Sequence, residues 1–402
     1  MMKSIPKILI LLIIVSCSPL KRLKTVTQGK VKQKDYLIEI PFKYVNDQII
    51  LPVTISNVKY DFVFDTGNPL TSIDGKLLEK IQYKSNNVSY DIGDSQGNTS
   101  NNKYISIQGL KLGEIEFQDI GGQVFDHSIY DEITGCEGIQ VRGIIGSNLM
   151  RKSLWQIDYD KKIITLTDNL KNFKISSNSL TINTKSGRYD DAFVEIQLNG
   201  NKEKFVFDTG YNGFIYTDLK VLNKLGDIQK TKSIISSFTA TGKYQSEVVR
   251  GYVNNITLNN SSFNNQIVNF SKRHSNLIGN KFIEHFLVTM DWQNELFYLS
   301  PKADFEDNIL STYELGFGIN YSSEKVEFYS HWISDSSDNS FDLSSKILSI
   351  NGINVDKMGI DELCQLWKNE NNKIYTENIV LEIINEGVKK KIILEKKQLL
   401  PN

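Results

Sequence analysis

Three cysteines in 402 residues are too few for a disulfide framework. Four histidines, at positions 127, 274, 285 and 331, show no ligand spacing of the H-x-x-x-H kind, which argues against a zinc hydrolase. No metal or organic cofactor is implied. Charge of one sign is missing as well. Lys+Arg 46 against Asp+Glu 47 leaves a formal net charge of −1, so no global positive field is available to condense on a phosphate backbone, and nucleic acid is not the expected partner. Seven prolines among 26 glycines exclude collagen-like and proline-rich chains. What remains, 40% hydrophobic and 23% charged, is a globular composition with length for roughly two to three domains.

Long apolar runs are also scarce. Residues 8–15 form an unbroken one behind Lys3 and Lys7, too short for a hydrocarbon core that needs about twenty residues, but suited to a secretory signal over residues 1–17. Its end, Ile14-Val15-Ser16-Cys17, resembles a bacterial lipobox. That resemblance implies that Cys17 is lipidated and becomes the first mature residue; a plain signal cut nearby, with Cys17 incidental, is the alternative. Ser18 in place of Asp implies, by the same likeness, an outer-membrane anchor, the protein facing the periplasm or the cell exterior. Residues 18–35, rich in Lys, read as a solvated tether. Cys136 and Cys364 fall in segments read below as different domains, so free thiols are expected.

Comparison of the chain with itself is more informative. Phe62-Val63-Phe64-Asp65-Thr66-Gly67 recurs as Phe205-Val206-Phe207-Asp208-Thr209-Gly210. With each residue type at roughly 5%, a given tripeptide is expected about 0.05 times in such a chain, so a repeated hexapeptide marks a duplication. Later landmarks keep step: Ile144-Ile145-Gly146 precedes Asp158 by the interval that separates Leu277-Ile278-Gly279 from Asp291. Between them lie period-two stretches bounded by Gly, Asn, Asp and Ser, which read as β-hairpins, with short helices over 75–81, 147–153, 217–225 and 280–286. Two mainly-β lobes follow, 36–172 and 173–301.

An Asp-Thr-Gly ending a hydrophobic strand can be a turn. Two matched copies, brought together across a pseudo-twofold axis, set two carboxyls against each other, and neighbouring like charges keep one proton between them. An acid and a base are thereby supplied at one place. Here the chain resembles the aspartic proteases of the retropepsin and pepsin-like group, with both lobes in one polypeptide, over about residues 38–300. The resemblance implies a bilobal double β-barrel with pseudo-twofold symmetry, acting on a polypeptide substrate through a water shared by Asp65 and Asp208. Thr66 and Thr209 are then expected to bond across the lobe junction, and Gly67 and Gly210 to let the loops turn and approach the substrate without a Cβ. The duplication supplies internally the symmetry that single-lobe relatives obtain by dimerising, so a monomer is expected. Flap candidates are 92–102 and 237–244. Asn68 and Tyr211 depart from the small or hydroxylic residue common after the Gly, and they motivate an alternative, a non-catalytic peptide-binding envelope lipoprotein.

Beyond residue 301 the repeat ends. Residues 310–398 contain Leu315-Gly316-Phe317-Gly318-Ile319, the strand-turn-strand Ile347-Leu348-Ser349-Ile350-Asn351-Gly352-Ile353, an amphipathic helix over 358–368 and a closing hairpin. This order resembles a PDZ domain, a β/α module. The resemblance implies that a loop of Gly316, Phe317 and Gly318 offers its amides to a peptide C-terminus, for recruitment or positioning; buttressing of the lobes is the competing role.

Overall fold

The computed structural model describes residues 24–93, 99–186, 192–239, 242–272, 275–302, 311–312, 315–333, 342–369, 374 and 378–398. The fold is mainly β, and the duplication is written in its pairing. Gln48–Ile55 and Val58–Phe64 form a hairpin whose turn residues Ser56 and Asn57 both take positive φ. Ala192–Leu198 and Asn201–Phe207 repeat it around Asn199 and Gly200, again both at positive φ. Such turns match the right-handed twist of the strands they join. Strict alternation in Ala192–Leu198 turns Ala192, Val194, Ile196 and Leu198 inward. The core they enter is continuous through both lobes and includes Phe62, Phe64, Trp155, Phe205, Phe207 and Trp292. Each such buried side chain contributes roughly 1.5–3 kcal/mol.

Beneath the lobes lies a six-stranded antiparallel platform to which each half contributes three strands. Leu37–Pro41, Ile163–Thr167 and Leu154–Asp158 come from the first, Phe286–Asp291, Leu296–Pro301 and Leu180–Asn183 from the second. The halves meet at Trp155 opposite Met290 and Ile157 opposite Val288. Each helix expected in the lobes is a single turn: Gly75–Leu77, Ser147–Met150, Leu219–Leu222 and Asn280–Ile283. Asp74 and Asp218, at equivalent places, cap two of them by accepting the N–H of Lys76 and Lys220.

Three expectations require correction. The tether expected over 18–35 is not free from residue 25 onward: Thr25 and Val26 are buried, Val26 packs with Leu70 and Tyr104, and Lys30–Val31 pairs with Ile115–Gln118. Residues 310–398 are not a detached module. They hold their own core, around Phe317, Phe328, Ile350, Leu363 and Leu381, but Lys325–Ile333 pairs with Lys230–Thr239 and so extends the second lobe's sheet. Cys136 and Cys364 are joined in a disulfide, their Cα atoms 5.2 Å apart across 228 positions of sequence. The thiols meet because the C-terminal helix Ile360–Lys368 docks on the turn Gly135–Glu137, where Lys368 also pairs with Glu137 at 3.3 Å. Cys17 and the rest of the signal segment lie outside the described residues, as do the tips of both flap candidates, 94–98 and 240–241.

Candidate active site

Asp65 and Asp208 stand one residue beyond the strands Val58–Phe64 and Asn201–Phe207. Each is held by a strand running parallel beside it: the Asp65 N–H donates to Ile145 O at 3.0 Å and the Asp208 N–H to Ile278 O at 2.9 Å. The loops then lock reciprocally. The Thr66 N–H donates to Thr209 Oγ1 at 3.0 Å, and the Thr209 N–H to Thr66 Oγ1 at 2.9 Å. Thr209 Oγ1 in turn donates to Phe64 O at 2.8 Å, and Thr66 Oγ1 to Phe207 O. Both threonines are fully buried. Four buried bonds, all between the lobes, fix the carboxyls' spacing.

The glycines have a different task from the turn expected of them. Neither Gly67 nor Gly210 takes positive φ. A Cβ on Gly67 would stand 2.5 Å from Asp208 Cγ, and one on Gly210 2.4 Å from Asp65 Cγ, so each glycine clears room for the opposite carboxyl. Asp65 Oδ1 accepts from the N–H groups of Gly67 and Asn68, and Asp208 Oδ1 from that of Gly210. The carboxyls also hydrogen-bond to each other. Burial, and then the charge of Asp208, holds Asp65 well above the ordinary carboxylate range. Burial raises Asp208 as well, against the pull of the N–H groups that stabilise its charge. The pair therefore retains one proton between them.

Asn68 and Tyr211 do not stand between the carboxyls. Asn68 uses its backbone, donating to Asp65 and accepting the Ser147 N–H at 2.8 Å. The Tyr211 ring lies against Gly213 and Gly279, and its hydroxyl accepts from Asn269 Nδ2 at 3.4 Å. Gly146 and Gly279 are small for a related reason: a Cβ there would press on Asn68 O and on Tyr211. Asn280 then ties the second loop to the first lobe, donating to Thr209 O and Asp47 O.

Tyr130 was invisible to sequence reasoning. It sits on the helix Ser128–Thr134, which has no counterpart among the described residues of the second lobe, and stacks on His127 with ring centroids 6.2 Å apart. Burial, and then the negative charge of Asp65 and Asp208, push its phenol up. His127 itself is buried, its Nε2 2.9 Å from Ser72 Oγ, and burial lowers it to about 4. A neutral imidazole therefore backs the site.

Gly316, Phe317 and Gly318 lie within the strand Leu315–Asn320 rather than in a loop. The register slips beside Gly316, leaving Tyr329 as the extra residue of the partner strand, and a Cβ on Gly316 would meet its ring at 2.5 Å. The glycines seat a tyrosine. Phe317 is buried, its ring 6.4 Å from that of Trp367.

Among the described residues no group of His, Cys, Asp and Glu could hold a metal ion. Residues 51–149, the part of the first lobe that carries Asp65, match the family described as aspartyl protease. No curated protein matches the chain. The match supports a protease in general, and the described residues bring Asp65 together with an equivalent aspartate from beyond the matched region.

Proposed function

We propose that the protein is an aspartic endopeptidase in which a water held between Asp65 and Asp208 attacks the peptide carbonyl. The observation that carries this reading is the reciprocal threonine bridge, which sets the two carboxyls in contact across glycines that leave no room for anything larger. With one proton shared by the pair, the charged carboxylate takes a proton from the attacking water while the protonated one gives its own to the carbonyl oxygen. The C–O bond formed yields a tetrahedral diol. Proton return to the amide nitrogen then breaks the C–N bond and restores the dyad.

The non-catalytic alternative was motivated by Asn68 and Tyr211, and neither separates the carboxyls. A peptide analogue carrying a hydroxyl at the scissile position tests the choice. Tight binding that disappears in Asp208→Asn is expected; binding indifferent to that substitution would favour a mere docking cleft.

The C-terminal segment fits a positioning role. Its strand Leu315–Asn320 ends the sheet among the described residues, and that edge can accept an extended polypeptide. Attachment to a membrane through acylated Cys17 completes the proposal. Mass spectrometry of the mature N-terminus should find the acyl chains, and Cys17→Ala should release the protein in soluble form.

A further inference from the structure

Arg250 belongs to the long strand Gly242–Leu258, opposite Thr231 on one side and Asn269 on the other. Its neighbour Val249 and the facing Phe270 point into the core of the lobe. Alternation therefore turns Arg250 and Asn269 to the other face, where the Asn269 amide meets the Tyr211 hydroxyl, three residues beyond the catalytic Asp208. Tyr211 is within electrostatic reach of both Asp208 and Arg250.

The surroundings of this guanidinium are unusual for a cation. It lies over the ring of Trp332, 4.1 Å from the centroid. Its Nε is buried without a hydrogen-bond partner. The ionisable groups that act on it are three tyrosines, Tyr211, Tyr216 and Tyr329, and no carboxylate among the described residues pairs with it. By contrast, Arg142 pairs with Asp131 at 3.3 Å. A cation drawn from water and left unpaired is costly, and that cost is removed when an anion arrives. A planar guanidinium with an unused donor, stacked on an aromatic ring and within electrostatic reach of tyrosines rather than of a carboxylate, matches a carboxylate in charge and in fork geometry.

We propose that Arg250 forms the floor of a specificity subsite in the second lobe that takes a peptide carboxylate, either an Asp or Glu side chain or the free C-terminus. The inference rests on the reading of the cleft as a peptide site. Trp332 and Tyr329 come from the C-terminal segment, so the subsite is complete only when that segment is docked on the second lobe's hairpin.

The test is a binding measurement, which needs no turnover. Fluorescein-labelled octapeptides, with one Glu or Gln walked through the sequence and each made as free acid and as amide, are titrated by anisotropy into the full chain carrying Asp65→Asn. At one position, or at the terminus, the carboxylate form should bind roughly ten- to a hundredfold tighter than its neutral isostere. Arg250→Met in the same background should erase that difference and leave the affinity of the neutral peptides little changed. A preference seen only in the Glu walk assigns the side chain, and one seen only between acid and amide assigns the terminus. Equal binding throughout, a preference that survives Arg250→Met, or no binding by any peptide would overturn the subsite. Should Arg250→Met fail to fold, the isostere comparison in the Asp65→Asn chain still decides. If peptides bind with the carboxylate preference but the wild-type protein hydrolyses none, the peptidase reading falls and the subsite stands.

Discussion

The two lobes share one frame and dress it differently. Strand for strand, the hairpins before each aspartate, the parallel strands beside them and the threonine bridge correspond. Around that frame the lobes diverge. The first lobe carries Tyr130 on a short helix, and its long hairpin ends the sheet, among the described residues, at Tyr83–Gly93. The second sets Tyr211 within reach of its aspartate and Arg250 beyond that tyrosine, and its hairpin is covered along one edge by the C-terminal segment. On the proposed reading, the parts that would carry the chemistry stayed symmetric, and the parts that would select and position substrate became specific to each half.

Breaking the shared frame should have the largest effect. Asp65→Asn and Asp208→Asn are each expected to lower peptide hydrolysis by roughly a thousandfold or more, read as kcat/KM on any cleaved peptide. If one variant alone kept wild-type turnover, the lobes would not share the reaction.

Next comes the bond that joins the first lobe to the C-terminal segment. Reduction, or Cys136→Ser, removes a closure spanning 228 positions. On a chain-entropy account this destabilises the fold by about 5 kcal/mol, to be read as a lower denaturation midpoint. An unchanged midpoint would mean that docking alone fixes the segment.

His127 belongs to the first lobe and sharpens the contrast through pH. Its folded pKa, about 4, lies below the ordinary 6.5, so between those values the unfolded chain binds a proton that the folded one refuses. Stability conferred by its neutral burial is present above pH 6.5 and falls as the pH drops toward 4, by roughly 3 kcal/mol in all. The dyad acts in the opposite sense: its raised carboxyls hold a proton that unfolded ones give up, so their contribution is lost as the pH rises from 3.8. Denaturant titrations of wild type and His127→Gln across this range should differ in slope only below about pH 6.5.

Tyr130→Phe is the mildest change. It removes a phenol that feels the charge of Asp65 and Asp208 and leaves the ring stacked on His127, so kcat should fall by about tenfold with the melting temperature unchanged. Equal losses of kcat and stability would make Tyr130 a packing residue.

Much of this was legible in the sequence where chemistry demanded repetition. An identical hexapeptide located both aspartates, and Gly146 and Gly279 marked the supporting strands. Tyr130 and Arg250 have no repeated counterpart: one sits on a helix without an equivalent among the described residues of the other lobe, and the other lies in the alternating stretch Val248-Val249-Arg250-Gly251, which reads only as a strand. Gly316 and Gly318 misled because a glycine that frees a loop and one that seats a ring look alike in one dimension. The disulfide was hidden for a similar reason, since reading 301 as a boundary separated cysteines that docking brings together.

Linking position 136 to position 364 closes a covalent ring that contains Asp208 and leaves Asp65 outside. A single nick anywhere from 137 to 363 opens that ring without severing the molecule. Nicked protein would run as one band on a denaturing gel until reductant is added, and then as two. While the sulfurs stay oxidised, such damage cannot carry one aspartate away from the other.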